Sequence, residues 1–151
     1  MTGRVTYRSP IGDMYYQLNA NEELCELSFG TGDRPAQPDP VSNQLDRYFS
    51  RNSYKFDLPI RLVGTDFQLE VWNELQKVPF GETRSYADIA RRIGKPDAIR
   101  AVGTANGANP IAIIIPCHRI IGSNGSLTGY AGGLDNKKKL LDFEAGVISL
   151  F

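Results

Sequence analysis

The residue types that could do chemistry cluster in one short stretch, residues 111–121, which contains the tripeptide Cys117-His118-Arg119. The five apolar residues before Pro116 predict a buried strand, because a continuous, mostly β-branched run leaves no polar face. Proline fits the end of a strand because it has no backbone N–H. Cys117 would then emerge at the edge of the core, beside a cation and the only histidine of the chain. Such surroundings favour a reactive thiolate, although a buried, unreactive cysteine is the alternative.

A nucleophilic cysteine also needs a base and a group that orients the base. His118 is the only histidine available, but adjacent residues of a strand point to opposite faces. Contact between Cys117 and His118 therefore requires a turn or a bridging water. Glu144 is a candidate orienting group, because it lies on a predicted closing helix, residues 134–145, that must pack back on the core. The residues alone predict a Cys–His–acid set and do not identify a substrate.

A second candidate region is a pair of short helices. Ser85 followed by Asp88 predicts a helix start, and Gly94 predicts the end of that helix. Pro96 suits the first turn of the next helix, which we expect to reach about residue 107. Two short helices joined by a turn with glycine are typical of a helix-turn-helix that binds DNA.

The composition of these helices favours the same function. Residues 84–100 hold five basic side chains against two acidic ones, which indicates either a phosphate-binding surface or an ordinary solvated helix face. Residues 103–108 carry no large side chain. The second helix can therefore approach a nucleic-acid groove closely, or it can pack closely on a sheet.

The rest of the chain predicts an α+β protein with a structural N-terminal domain, residues 1–60, and a C-terminal functional domain, residues 61–151. The N-terminal domain is expected to be a small antiparallel sheet with a helix against it. Alternation and turn residues predict strands at 4–9, 14–19, 24–29 and 54–58, a loop at 30–40 and a helix at 41–50. Thr65 with Gln68 predicts the start of a core helix that carries Trp72.

The counts of charged residues, cysteines and histidine argue against several classes of protein. The 17 basic and 17 acidic residues balance, so the whole chain has no field that indicates a nucleic-acid or membrane partner. Two cysteines and one histidine predict neither a disulfide framework nor a zinc site. Cys25 lies in a strand pattern between acidic neighbours and is interpreted as packing. No membrane span or signal peptide is evident, so a cytoplasmic protein is expected.

Pro116-Cys117-His118-Arg119-Ile120 resembles the signature of the O6-alkylguanine-DNA alkyltransferases, which are DNA repair methyltransferases. The resemblance extends over about residues 65–146 and includes several dispersed motifs in the family's order. These are G-E-T-R-S-Y at 81–86, R-A-V-G at 100–103, N-P at 109–110, Y-A-G-G-L at 130–134 and E-A-G at 144–146.

The resemblance implies a ribonuclease H-like N-terminal domain and a winged-helix-like C-terminal domain. It also implies an irreversible, single-turnover transfer of an alkyl group from O6 of guanine to Cys117, with O4 of thymine as a second candidate donor. By the same resemblance, His118 is a base that acts through water, and Glu144 orients it. Asn109 holds the turn before the acceptor, and Tyr86 assists near the leaving base.

The remaining implied roles concern DNA and the base. The resemblance implies a monomer that binds double-stranded DNA through the minor groove, flips the target base out and needs no cofactor or metal. Arg100 would enter the duplex in place of the flipped nucleotide. The other implied DNA contacts are Tyr86, Thr104, Ala105, Gly107 and Arg119. The implied guanine pocket consists of Tyr130, Ala131, Pro116, Ile120 and Lys137.

Two departures and two alternatives accompany the resemblance. The chain lacks the histidines of the structural zinc site that some relatives carry, and Ala131 replaces a serine that some relatives have. A binding module that recognises lesions without repairing them is the first alternative, and Cys117 argues against it. A Cys–His hydrolase is the second, and it predicts many turnovers where the transferase predicts one.

Overall fold

The computed structural model of the protein describes residues 3–127, 130 and 132–147. The chain divides into two compact units, with the boundary between Leu62 and Val63. Ala131, one of the predicted pocket residues, lies outside the described residues. None of the helices in the described ranges is long and apolar enough to cross a membrane.

The first unit is built on a four-stranded sheet. Its strands are β1 (Val5–Ser9), β2 (Gly12–Leu18), β3 (Leu24–Phe29) and β4 (Arg34–Pro35). The order is β3-β2-β1-β4; the first three strands are antiparallel, as predicted, whereas β4 runs parallel to β1. The short β4 lies inside the predicted loop at 30–40, so that segment is not entirely irregular.

Helix α1 (Pro40–Phe49) joins this sheet through its polar and aromatic side chains. Asp39 caps the helix and forms a capping box with Ser42. The hydroxyl of Tyr16 donates to Asp39, and the hydroxyl of Tyr7 donates to Asp46 at 2.6 Å. These tyrosine–carboxylate pairs tie two strands to the helix above a core formed by Met14, Tyr16, Leu24, Leu27, Leu45 and Tyr48.

The predicted strand at 54–58 is wrong. The chain meets the sheet only at Ile60, which forms a single parallel bridge with Leu24. The side chain of Gln44 accepts from the N–H of Asp57 at 2.7 Å and donates to its carbonyl at 3.0 Å. Because this side chain occupies both backbone groups of Asp57, that residue cannot pair with a strand.

The second unit is mostly helical. Its helices are α2 (Asp66–Leu75), α3 (Tyr86–Arg92), α4 (Ile99–Gly107) and α5 (Leu134–Glu144). Two short strands, β5 (Arg84–Ser85) and β6 (Ile120–Ile121), pair in parallel. The predicted capping boxes of α2 and α3 are both present, whereas α4 begins at Ile99, three residues later than Pro96.

Helix α4 packs against both α2 and α3. The indole N–H of Trp72 donates to the carbonyl of Ala105 at 2.8 Å, which ties α2 to α4 inside the core. The core of this unit consists of Val71, Trp72, Leu75, Ile89, Val102, Ile111, Ile115 and Leu140. The observed architecture is therefore the predicted α+β one, with a small sheet unit followed by a helical unit.

The predicted buried strand at 111–115 is also wrong, although the segment is buried apart from the half-buried Ile114. The chain turns here instead, and Ile113 has a φ of +68°. The N–H of Ile114 donates to the carbonyl of Ala112, and that of Cys117 donates to the carbonyl of Ile115, both at 2.7 Å. These i to i+2 bonds define two γ-turns. A β-branched residue at positive φ is unusual, so the surrounding contacts must hold this conformation.

Candidate active site

Asn109 supplies the contacts that hold the turn before Cys117. Its amide oxygen accepts from the N–H of Ile111 at 3.1 Å. Its amide nitrogen lies 3.2 Å from the carbonyl oxygen of Ile111 and 2.8 Å from that of Ile115. The same nitrogen lies 3.0 Å from Sγ of Cys117. One side chain therefore fixes the turn and presents a hydrogen-bond donor to the sulfur.

Cys117 begins a short 3₁₀ turn, Cys117–Arg119, instead of ending a strand. The cysteine is only 5% exposed, and burial raises the pKa of its thiol to about 11. The Asn109 amide and the charge of Lys137 act against that rise in the pKa. Cys117 is therefore a neutral thiol at pH 7 in the isolated protein, in surroundings that favour negative charge on sulfur once a base removes the proton.

His118 is fully buried and forms a hydrogen bond with Glu144. The distance between Nε2 of His118 and Oε2 of Glu144 is 2.7 Å. Burial lowers the pKa of His118 and outweighs the raising effect of Glu144, so the ring is neutral at rest. With the proton on Nε2 facing the carboxylate, Nδ1 is the basic nitrogen. Nδ1 is buried and has no hydrogen-bond partner among the described residues.

Arg119 does not lie on a DNA-facing surface, which contradicts its predicted role. Its guanidinium is buried and binds Glu144 through both edges, with Nε at 2.7 Å from Oε1 and Nη2 at 2.8 Å from Oε2. Nη1 donates to the carbonyl of Val78 at 2.8 Å, and the group lies over the ring of Phe80. A group used in this way cannot reach a phosphate. Arg119 is instead the cation that fixes the carboxylate of the His118–Glu144 pair.

Glu144 is thus fully surrounded by donors. Besides His118 and Arg119, the backbone N–H of Gly81 donates to Oε1 at 3.3 Å. Burial acts to raise the pKa of Glu144, but His118 and Arg119 together hold it well below its usual range. The carboxylate therefore stays ionised, and it can stabilise the positive charge that His118 gains when the histidine takes a proton.

Helix α4 carries three of its four predicted DNA contacts on one exposed face. Arg100, Thr104 and Gly107 follow one another at i, i+4 and i+7, and the first two are exposed while Gly107 is half-buried. Ala105 lies on the opposite face, is 2% exposed and holds Trp72 through its carbonyl. The predicted DNA contact of Ala105 is therefore contradicted by its burial.

Four of the five predicted base-pocket residues are described, and all four are buried: Pro116, Ile120, Tyr130 and Lys137. Pro116 and Ile120 are buried on either side of the 3₁₀ turn, and the ammonium of Lys137 donates to the carbonyl of Ile120. Burial lowers the pKa of Lys137 to about 8, against the opposing effect of Cys117. Burial first, and then Cys117 and Glu144, raise the pKa of Tyr130, so that its hydroxyl stays protonated.

Tyr86 lies near the same group of residues. It is half-buried at the start of α3, and the Lys137 ammonium lies 5.8 Å from the centre of its ring. This distance is within the range of a cation–π contact. Tyr86 and Lys137 therefore lie together, on helices α3 and α5.

Asn106 is a site residue that the sequence reasoning missed. It lies on the buried face of α4 and is 1% exposed. Its amide nitrogen lies 3.3 Å from the carbonyl oxygen of Cys117. The available signal was its spacing, because a position four residues after Val102 falls on the apolar face of the helix.

Across the described residues, no three His, Cys, Asp or Glu side chains are placed so that they could hold a metal ion. A buried thiol, a histidine–carboxylate pair and a helix-turn-helix define a class of protein that combines a cysteine nucleophile with a nucleic-acid-binding surface.

Comparison with known proteins identifies the family within that class. The family model of the 6-O-methylguanine DNA methyltransferase DNA-binding domain matches residues 66–146. A methylated-DNA–protein-cysteine methyltransferase from Methanosarcina acetivorans is 57% identical over 150 residues, covering 91% of this chain and 95% of the relative. One from Mycobacterium tuberculosis is 46% identical over 148 residues, covering 92% and 90%.

Solved structures agree with these sequence matches. The crystal structure of O6-methylguanine methyltransferase from M. tuberculosis superposes with a TM-score of 0.86 at 43% identity, covering 99% of this chain and 96% of the other. A structure of M. tuberculosis OGT in complex with DNA gives a TM-score of 0.85 at 44% identity, covering 95% and 93%. The chain belongs to the methylated-DNA–protein-cysteine methyltransferase family.

Proposed function

We propose that this protein repairs DNA by transferring a methyl or other alkyl group from O6 of guanine in double-stranded DNA to its own Cys117. Membership of the family and the complex of a similar protein with DNA support methyl transfer and a DNA partner. The observation that carries the assignment of the acceptor is the position of Cys117. Its sulfur lies beside the amide of Asn109, and it directly precedes the buried His118–Glu144 pair.

The transfer is a single displacement at carbon. His118 takes the thiol proton at Nδ1 through a bridging water, because that nitrogen is the unpartnered one and adjacent residues do not face each other directly. Glu144 stabilises the resulting imidazolium, and Arg119 holds Glu144 in place. The Sγ–carbon bond then forms as the carbon–O6 bond breaks. A proton returned from His118 neutralises the guanine anion, so the products are S-alkylcysteine and guanine.

The product explains why the reaction stops after one event. Regeneration of Cys117 would require a thiolate to leave from an unactivated alkyl carbon, and a thiolate is a poor leaving group there, so each molecule reacts once. An added alkyl group at a 5% exposed position also has to displace packed neighbours. We therefore expect the alkylated protein to unfold at a lower temperature than the free protein.

DNA binding is proposed for the exposed face of α4 that carries Arg100, Thr104 and Gly107. The small residues of this face allow the backbone to approach the walls of a minor groove. Because Cys117 is buried, the damaged base must leave the stack to reach it. Flipping costs a few kcal/mol, and the cost is lowest for a base that pairs poorly. Arg100 would fill the space that the base leaves, and Tyr130 and Lys137 would surround the base.

The test is a reaction with duplex DNA that carries a radiolabelled methyl group on O6 of guanine. The expected result is one label per protein molecule, with no further release of repaired DNA after one equivalent. A protein that acquired no label, or that repaired many equivalents of DNA, would contradict the proposal. A second duplex with O4-methylthymine measures whether the same displacement extends to that base.

A further inference from the structure

The position of Asn106 supports an inference that goes beyond the proposed function. This inference rests on the proposed function. Asn106 is on α4, the helix whose opposite face is proposed to bind DNA, and its side chain points into the core. The carbonyl of Cys117 accepts the N–H of Ile120 at the end of the 3₁₀ turn. The amide nitrogen of Asn106 donates to the same carbonyl at 3.3 Å. A carbonyl oxygen has two lone pairs, so the two donors satisfy it.

The buried side-chain amide of Asn106 costs stability that an apolar side chain would not cost. The amide oxygen of Asn106 is buried and has no hydrogen-bond partner among the described residues. A buried, unpaired acceptor costs stability, and an apolar side chain of the same size would avoid that cost. The neighbours on the same face of the helix, Val102 and Ala105, are apolar. A polar group at this position therefore provides something other than packing, and its hydrogen bond within the described part of the chain is with the acceptor residue.

Two asparagines near the end of one helix hold Cys117 from two sides. Asn109, just after α4, contacts the sulfur, whereas Asn106, within α4, contacts the main-chain carbonyl. The first contact stabilises charge on Sγ. The second fixes the peptide group that sets the direction of the Cα–Cβ bond. The direction of that bond determines where the sulfur lies relative to the DNA-facing residues of the same helix.

We infer that Asn106 is a positioning residue that fixes the acceptor cysteine relative to the DNA-binding helix. Bound DNA fixes α4, and Asn106 relays that position to Cys117 through a single hydrogen bond. In-line displacement needs the sulfur, the alkyl carbon and O6 in a row, and a misplacement of about 1 Å can lower a rate about 100-fold. Removal of the Asn106 amide should therefore slow attack on a base held by DNA and leave attack on a freely diffusing electrophile unchanged.

The test uses the full chain with Asn106→Leu, which keeps the number and branching of the side-chain heavy atoms, and Asn106→Ala, which only removes atoms. Asn73→Leu is the matched control, because Asn73 is an exposed residue of helix α2. Three quantities are compared: the single-turnover transfer rate at saturating O6-methylguanine duplex, the affinity for undamaged duplex, and the rate at which iodoacetamide modifies Cys117. Thermal unfolding identifies which variants are folded. If Asn106→Leu is not folded, the comparison is made with Asn106→Ala.

The expected result is a fall of about 10- to 100-fold in the transfer rate of the Asn106 variants. Their affinity for undamaged duplex and the iodoacetamide rate at Cys117 should match those of Asn73→Leu. A transfer rate equal to that of the control would overturn the inference. A fall in the transfer rate together with faster iodoacetamide modification of Cys117 would also overturn the inference. That result would show that the substitution had loosened the core and exposed the thiol. If the wild type transferred no methyl group, the proposed function itself would be contradicted. If the wild type were active and the Asn106 variants were equally active, only the inference about Asn106 would be contradicted.

Discussion

The two cysteines lie in regions that look alike in one respect and differ in all others. Burial raises the pKa of both thiols, Cys25 on β3 and Cys117 on the 3₁₀ turn. Cys25 donates to the carbonyl of Gln17, and the charge of Glu26 raises its pKa further. Cys117 receives a donor from Asn109 and the field of Lys137, both of which favour the thiolate. A raised thiol pKa is therefore common to both cysteines. The groups that surround each sulfur distinguish them.

The asparagines before the two cysteines sharpen this contrast. Asn19 holds the turn before β3 by accepting from the N–H groups of Asn21 and Glu23. Asn109 holds the turn before Cys117 in a similar way, but its amide nitrogen also reaches the sulfur. Both asparagines thus shape the backbone of a turn, and near Cys117 the amide also contacts the sulfur.

Cysteine replacement should show the largest difference between the two regions. We expect Cys117→Ala to abolish methyl transfer from O6-methylguanine duplex, because the acceptor is gone. Cys25→Ala should transfer at the wild-type rate and unfold at a slightly lower temperature. Transfer is measured with labelled duplex. Residual transfer in Cys117→Ala would show that a different residue accepts the group.

Replacement of the acidic residue near each cysteine should give the next largest difference. Glu144→Gln removes the charge between His118 and Arg119 and leaves a buried guanidinium without its anion, which we expect to cost about 3–5 kcal/mol of stability. Glu26→Gln breaks only the partly exposed pair with Arg4 and should cost about 0–1 kcal/mol. Urea unfolding gives both values. Equal losses would contradict the buried role of Glu144.

Replacement of the asparagine at each turn should affect transfer in one region only. Asn109→Ala removes a hydrogen bond to a developing thiolate, a bond of about 1.5–3 kcal/mol, which corresponds to a loss of about 10- to 150-fold in rate. Asn19→Ala should destabilise its turn without changing the rate. Single-turnover kinetics at saturating duplex separate the two variants. A similar rate for both would mean that Asn109 only shapes the backbone.

The smallest expected effect concerns the pH dependence of the thiol in the absence of DNA. Because the pKa of Cys117 is raised to about 11, its modification by iodoacetamide should keep accelerating up to that pH and not level off near 8.5. Asn109→Ala removes a hydrogen-bond donor that favours the thiolate and should move the midpoint upward, whereas Lys137, with a pKa lowered to about 8, is already neutral at that pH. Lys139→Gln, an exposed neighbour on the same helix, should leave it unchanged. A midpoint near 8.5 in the wild type would contradict the burial of Cys117.

Features that depend on neighbouring residues could be predicted from the sequence. The capping boxes at Thr65 and Ser85 are complete within four residues, so the starts of α2 and α3 were evident. The candidate acceptor, base and carboxylate were proposed from their residue types and motifs, and the structure brings the base and the carboxylate into contact. The turn at 111–115 was not predicted, because its conformation depends on a side chain outside the run, Asn109, and on a positive φ that isoleucine disfavours.

Features that depend on distant partners could not be predicted. Arg119 was assigned to DNA as one of the contacts that the family resemblance implies. Its actual partners, Val78 and Glu144, are far away along the chain in both directions. Ala105 was assigned to DNA as a small residue, but a small side chain does not reveal which face of a helix it occupies. In the structure the carbonyl of Ala105 accepts from the indole of Trp72, which places this residue on the buried face.

The most direct test of the account compares the two cysteines within one molecule. The protein is incubated with excess O6-methylguanine duplex and digested, and the peptides that contain Cys25 and Cys117 are examined by mass spectrometry. The account predicts one methyl group on Cys117 in every molecule and none on Cys25, although burial raises the pKa of both thiols. Methylation of Cys25, or an unmodified Cys117 after repair of the DNA, would contradict it.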